Sequence, residues 1–167
     1  DKDSPYSEED RKTQEKTVIA LYNLTEDMAY YYNGLDELVN QSNALEEENP
    51  KLSKKLMALS KEAEGYKNSL VAMGGDGYVN EGEAIRERIS NLYRQVISYP
   101  GRPSNSQIER TQVLENDMKE IGKTFNDILT GDVAKMNKTL AKKELKTIET
   151  SSKEDFLSSK KSQGSSG

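Results

Sequence analysis

The sequence predicts an all-α protein: an antiparallel bundle of four main helices followed by a short C-terminal helical segment. Three observations carry this expectation. Apolar residues recur at steps of three and four over long stretches, as on one face of a helix. Nowhere do they alternate with the period of two that a half-buried strand requires. The pattern breaks at Asn49-Pro50, across residues 71–84 and at Tyr99-Pro100-Gly101-Arg102-Pro103-Ser104, where Pro and Gly punctuate the chain.

The first helix is predicted from about Ser7 to Glu47. Ser7-Glu8-Glu9-Asp10 places an acid three residues after a serine, the pattern of a capping box. Leu21, Leu24, Met28, Tyr31, Leu35 and Leu38 then step by three and four in turn, close to a heptad seam. About 40 helical residues would span roughly 60 Å. Gly34 is the weak point, since glycine costs about 1 kcal/mol inside a helix. The apolar register runs on across it, so at most a kink is expected.

Asn49-Pro50 closes this helix and opens the second, because proline is acceptable only in a first turn. Leu52, Leu56, Leu59, Ala63, Tyr66, Leu70 and Met73 give the cleanest periodicity in the chain. The third helix is short, with Ile85, Ile89, Leu92, Tyr93 and Val96 on one face. The fourth starts near Ser104 or Ser106 and carries Leu114, Met118, Ile121, Phe125, Ile128 and Leu129. Thr130-Gly131-Asp132 is expected to interrupt it, with Asp132 capping a last short helix of Val133, Met136 and Leu140. The bundle domain is thus residues 1–145. Residues 146–167 are rich in Ser, Lys and Gly and offer little to bury, so disorder is expected there. The closing Gly-Ser-Ser-Gly reads as foreign to the natural chain.

Composition narrows the function classes. A chain of 167 residues is long enough for one domain with a real core. Only 33% of residues are hydrophobic, so much of the surface must be polar. The charge balance, 24 basic against 29 acidic residues, argues against nucleic-acid binding, which draws on a basic face. Without Cys there is no disulfide framework, thiolate metal site or cysteine nucleophile. Without His, the usual general base and the commonest zinc ligand are missing, as is the Glu-x-x-His pairing of di-iron bundles. No apolar run is long enough for a membrane span, and no signal peptide is visible. The chain opens on Asp1 rather than Met, which suggests a processed or trimmed piece.

Four short stretches invite a sharper reading. Val71-to-Ala84 crowds glycines among acids, yet Asn80 stands where a dinucleotide fingerprint needs its third glycine. As a calcium loop it fails too, with Tyr78 at a ligand position and Glu81 at the turn glycine's place. It reads as a connector, with Gly74 and Gly75 ending one helix and Asn80 capping the next. Glu46-Glu47-Glu48 beside Lys51, Lys54 and Lys55 reads as a solvated helix end with local ion pairs. Lys135, Lys138, Lys142, Lys143 and Lys146, offset only by Glu144, fit cations at a helix C-terminus. The sequons at Asn23 and Asn137 fall inside predicted helices and carry no weight.

Tyr30-Tyr31-Tyr32 is the most informative oddity. Successive helical residues point about 100° apart, so the three rings cannot share one stripe. Tyr31 lies on the Leu21-to-Leu38 seam and Tyr30 points well away from it. Either bundle partners flank the first helix on two sides, or Tyr30 meets something outside the chain, as interface aromatics do.

The third and fourth helices, Ile85 to Leu140, resemble the C-terminal helical region of bacterial sortilin-like proteins. These carry β-propellers of Asp-box (BNR) repeats and are grouped as glycoside-hydrolase-like. The likeness rests on Leu92-Tyr93, the Gly101-Arg102-Pro103-Ser104 loop, Asp132-Val133, Met136-Asn137 and Leu140. Residues 23–41 are similar to the helix that follows the propeller in those chains. An Asp box ends in Trp, and this chain has none, so the propeller and any catalytic residues it holds are absent. The resemblance implies an exported, non-catalytic accessory or interaction domain, and the residues themselves, without Cys or His, lead to the expectation of no cofactor and no metal. Its partner would be the propeller of the same parent chain, or a protein or carbohydrate. The competing expectation is a stand-alone helical scaffold that dimerises through the heptad-like seams.

Overall fold

The computed structural model describes residues 5–71 and 84–164, and there it is all-α, with no strand among the described residues. The glycine-rich connector and its proposed caps at Gly74, Gly75 and Asn80 lie outside the described residues, as do Met73 and the last three residues. The helices are α1 (Glu8–Glu48), α2 (Ser53–Leu70), α3 (Ile85–Ile97), α4 (Asn105–Ile128), α5 (Ala134–Lys142) and α6 (Lys153–Gly164). A 3-10 turn, Pro50–Leu52, leads from α1 into α2. The chain divides into two compact units: Asp1–Met28 with Val71–Glu120, and Ala29–Leu70 with Ile121–Gly167. Both α1 and α4 supply residues to each.

The helix starts follow the predicted capping chemistry. The Asp10 amide donates to Ser7 Oγ at 3.0 Å, while the Ser7 amide and hydroxyl donate back to the Asp10 carboxylate. These bonds favour the ionised form and hold the Asp10 carboxyl below its ordinary range. Ser104 and Gln107 repeat the device at α4, and Ser152 accepts the Asp155 amide at α6.

In the first unit α3 and α4 run antiparallel, as the pairs Arg88–Asp117 and Gln95–Arg110 require. Its core joins Leu21, Leu24 and Met28 of α1 to Ile85, Ile89, Leu92, Val96, Leu114 and Met118. The connection between α3 and α4 is locked from the N-terminal side. Tyr6 and Tyr99 meet edge to face at 6.1 Å, and both rings lie where a Cβ on Gly101 would stand. The Gln14 side chain adds hydrogen bonds to the carbonyls of Val96 and Tyr99.

In the second unit α2 returns antiparallel along α1, pairing Ser53 with Glu46, Ser60 with Asn43 and Lys67 with Asp36. The predicted seam is buried: Leu35, Leu38, Leu56, Leu59, Ala63 and Leu70 are each at most 4% exposed. Tyr66 departs from it and is 42% exposed. Gly34 leaves α1 unbroken, and its missing side chain has a use. An added Cβ would stand 2.5 Å from Cζ of Phe125, whose ring rests on the bare backbone. Gly122 of α4 is covered in the same way by the Tyr31 hydroxyl, again 2.5 Å from an added Cβ. These reciprocal contacts set α1 and α4 in the same direction.

Two expectations are corrected. Thr130-Gly131-Asp132 does not break the helix and Asp132 caps nothing. Leu129–Val133 form one wide π turn, with α-helical backbone on both sides, so α4 leads into α5 without a stop. Nor is the segment after Leu145 disordered. Ile148 and Phe156 are 3% and 8% exposed, and residues 153–164 form α6. Composition averaged over this stretch hides two apolar anchors and the hydrogen bonds that hold the backbone between them.

Ser42 sits on the α1 seam at 0% exposure, and among the described residues its hydroxyl finds no hydrogen-bond partner. A buried unmade hydrogen bond is destabilising. Ser42→Ala is therefore expected to raise stability by up to about 1 kcal/mol, read as a higher urea midpoint with unchanged m-value.

Candidate functional site

Tyr30 is engaged within the chain. Its ring packs against Tyr31 at 5.3 Å, Phe125 at 5.9 Å and Phe156 of α6 at 6.0 Å. Its hydroxyl donates to the Ser151 carbonyl at 3.3 Å. Burial first, and then the Glu37 carboxylate, push the Tyr30 phenol above its ordinary range, so it stays protonated as a donor. Of the two explanations for the tyrosine run, the second flank of α1 is the one present, and the C-terminal segment supplies it. Tyr32 instead receives the Lys67 ammonium 5.8 Å over its ring.

The remaining sequence candidates keep bland roles. Asn137 uses its side chain on Ile148, donating to the carbonyl at 2.9 Å and accepting the amide at 2.8 Å. Glu46 accepts the Ser53 hydroxyl, and the charges around it stay at the surface. Lys138, Lys142, Lys143 and Lys146 are exposed at the end of α5. Lys135 lines a cavity of about 300 Å³ with Lys55, Glu62, Asp132, Met136 and Thr139.

Sequence reading missed the carboxyl pair in that cavity, which joins α2 to the π turn. Burial, then a hydrogen bond that the protonated Glu62 carboxyl donates to Asp132 and the charge of Asp132, raise the Glu62 carboxyl above the ordinary range. A proton bound more tightly in the folded state stabilises at low pH, and that stability is lost as pH rises through the folded value. Glu62→Gln should remove this slope in the weakly acidic window. At neutral pH it should leave the protein as stable or slightly more so, within about 0.5 kcal/mol, as pH-dependent urea unfolding would read.

A second cavity, of about 600 Å³, lies between α3 and α4 in the first unit, lined by Arg88, Arg94, Arg110, Gln95, Val113 and Leu114. Arg88 is paired with Asp117 at 3.1 Å, while Arg94 and Arg110 bond the side-chain amides of Asn91 and Gln95.

The surface of the first unit also carries apolar side chains. Ile19 and Tyr22 of α1 are 51% and 53% exposed, against 0% and 4% for Leu21 and Leu24. Two helical positions differ by roughly 200°, so these two side chains stand across the helix from the buried stripe. Glu15 and Glu26 lie on the same side of α1 as this pair. Among the described residues no group of three His, Cys, Asp or Glu side chains could hold a metal ion, and no helix is long and apolar enough to cross a membrane.

No known protein family, curated protein or solved structure matches this chain.

Proposed function

We propose that this chain is a non-catalytic helical interaction domain, appended to the β-propeller of a larger exported, glycoside-hydrolase-like protein. The observation that carries the interaction role is the pair Ile19 and Tyr22, half exposed on α1 opposite its buried stripe. An aromatic and a branched aliphatic residue one turn apart form the kind of anchor that protein interfaces use. The resemblance of the third and fourth helices supports the propeller of the same parent chain as the partner. The seam a coiled-coil dimer would need is already covered in each unit, which weighs against the scaffold reading.

The mass of the native polypeptide tests this. An antibody against the domain should detect, in the exported fraction, a band several times heavier than 18.8 kDa. A band near that size would sink the appended-domain reading. For the surface itself, Ile19→Ser with Tyr22→Ser should leave the thermal midpoint of the isolated domain nearly unchanged. The same pair in the parent protein should lower the temperature at which domain and propeller come apart.

A further inference from the structure

The C-terminal segment is held by side chains that read its backbone. Asn137 takes both the amide and the carbonyl of Ile148. Gln41 does the same for Glu149, accepting its amide at 2.9 Å and donating to its carbonyl at 2.5 Å. Glu37 accepts the Ser151 amide at 3.0 Å and its hydroxyl at 2.9 Å, and Tyr30 donates to the Ser151 carbonyl. Ile148 at the start of this non-helical stretch and Phe156 beyond it in α6 are both buried. Successive backbone groups are thus satisfied by side chains of α1 and α5, as in sites that bind an extended peptide.

The hinge before the segment is a Schellman turn. The Leu145 amide donates to the Leu140 carbonyl and the Glu144 amide to the Ala141 carbonyl. The residue in the left-handed position is Glu144, with φ of 57°, where glycine is the usual occupant. A strained, short hinge leading into a discrete segment that docks as one piece is the arrangement from which elements exchange between copies.

We infer that α1 and α5 of the second unit form a peptide groove, filled in the single chain by residues 146–156, and that the same residues of a second copy can fill it instead. The segment is chemically identical in the second copy, so every bond that holds Ile148, Glu149 and Ser151 is remade, and only the two bonds of the closed turn are given up. Opening relieves the left-handed Glu144, and concentration then decides between the two arrangements.

Glu144→Pro tests the inference, because proline holds φ near about −65° and forbids the closed turn. Light scattering of this full-length variant should give twice the mass of one chain, with helicity per chain unchanged. Glu144→Gly, which suits the closed turn, should stay a single chain. A monomeric Glu144→Pro whose Ile148, Glu149 and Ser151 amides stay as protected from exchange as in the parent would overturn the proposal. If it is monomeric with those amides exposed, a labelled peptide of residues 146–164 must bind it at least tenfold more tightly than the unmodified chain, and equal binding overturns the proposal. Should the variant lose its helicity, hydrogen exchange on the unmodified chain decides. Those three amides exchanging together, well ahead of Leu38, support a detachable segment, whereas exchange at the rate of Leu38 refutes it.

Discussion

Phe125→Ala is expected to remove about 3–5 kcal/mol of stability. That is a large part of the 5–15 kcal/mol typical of a whole domain. The Phe125 ring is 4% exposed and sits on the Gly34 backbone, with the Tyr30 and Tyr31 rings 5.9 and 5.5 Å away. Its removal leaves a cavity that no neighbour can fill without breaking its own contacts. Tyr31 is held over Gly122, and Tyr30 is held by Ser151. A drop in thermal midpoint of roughly 6–20 °C should follow. The Tyr30 bond to the Ser151 carbonyl should also weaken, since Tyr30 would no longer be braced. A midpoint within a degree or two of the parent would show that the ring is not the keystone described.

Replacing Leu24 and Leu35 together by serine should unfold the isolated chain. Each leucine is at most 4% exposed. Truncation of a buried leucine alone is worth about 2–5 kcal/mol, and each buried hydroxyl left unpaired adds about 1–3 kcal/mol. The sum reaches or exceeds the whole stability of an ordinary domain. Circular dichroism should therefore show lost helicity at room temperature. A variant that kept its helicity while halving in mass would place the seam between chains. One that changed in neither respect would refute the burial of these leucines.

The long helices were legible because their cores imprint a local spacing. Leu21 to Leu38 and Leu52 to Leu70 touch their partners once per turn, so steps of three and four appear in the text whatever the partner is. The Ser7–Asp10 box was legible for the same reason, since it closes over four residues, whereas the fourth helix offered only a start near Ser104 or Ser106 and not its box with Gln107. The contacts that were not legible join distant parts of the chain. Nothing near Gly34 announces Phe125, so the glycine reads as a weakness rather than as a seat for a ring. Tyr30 stayed ambiguous because its partners Phe156 and Ser151 belong to a segment that composition marks as having nothing to bury. The π turn at Leu129–Val133 was missed because Gly131 and Asp132 carry the signals of a helix end, while Val133 and Met136 are buried and hold the backbone in place. The Glu62–Asp132 pair depends on that turn and was hidden with it.

The two bare glycines have a further consequence, for uniqueness rather than strength. A heptad seam is nearly indifferent to sliding by one repeat, because leucine replaces leucine at every contact. Moving the Phe125 ring seven residues along α1 would set it on Asp27 or Gln41 instead of Gly34. The equivalent slip of Tyr31 on the fourth helix would meet Glu115 or Leu129 instead of Gly122. Each slipped alignment drives an aromatic ring into a side chain at two places at once. The notches thus act as a vernier, selecting one axial setting of two helices whose repeating stripes alone would tolerate several.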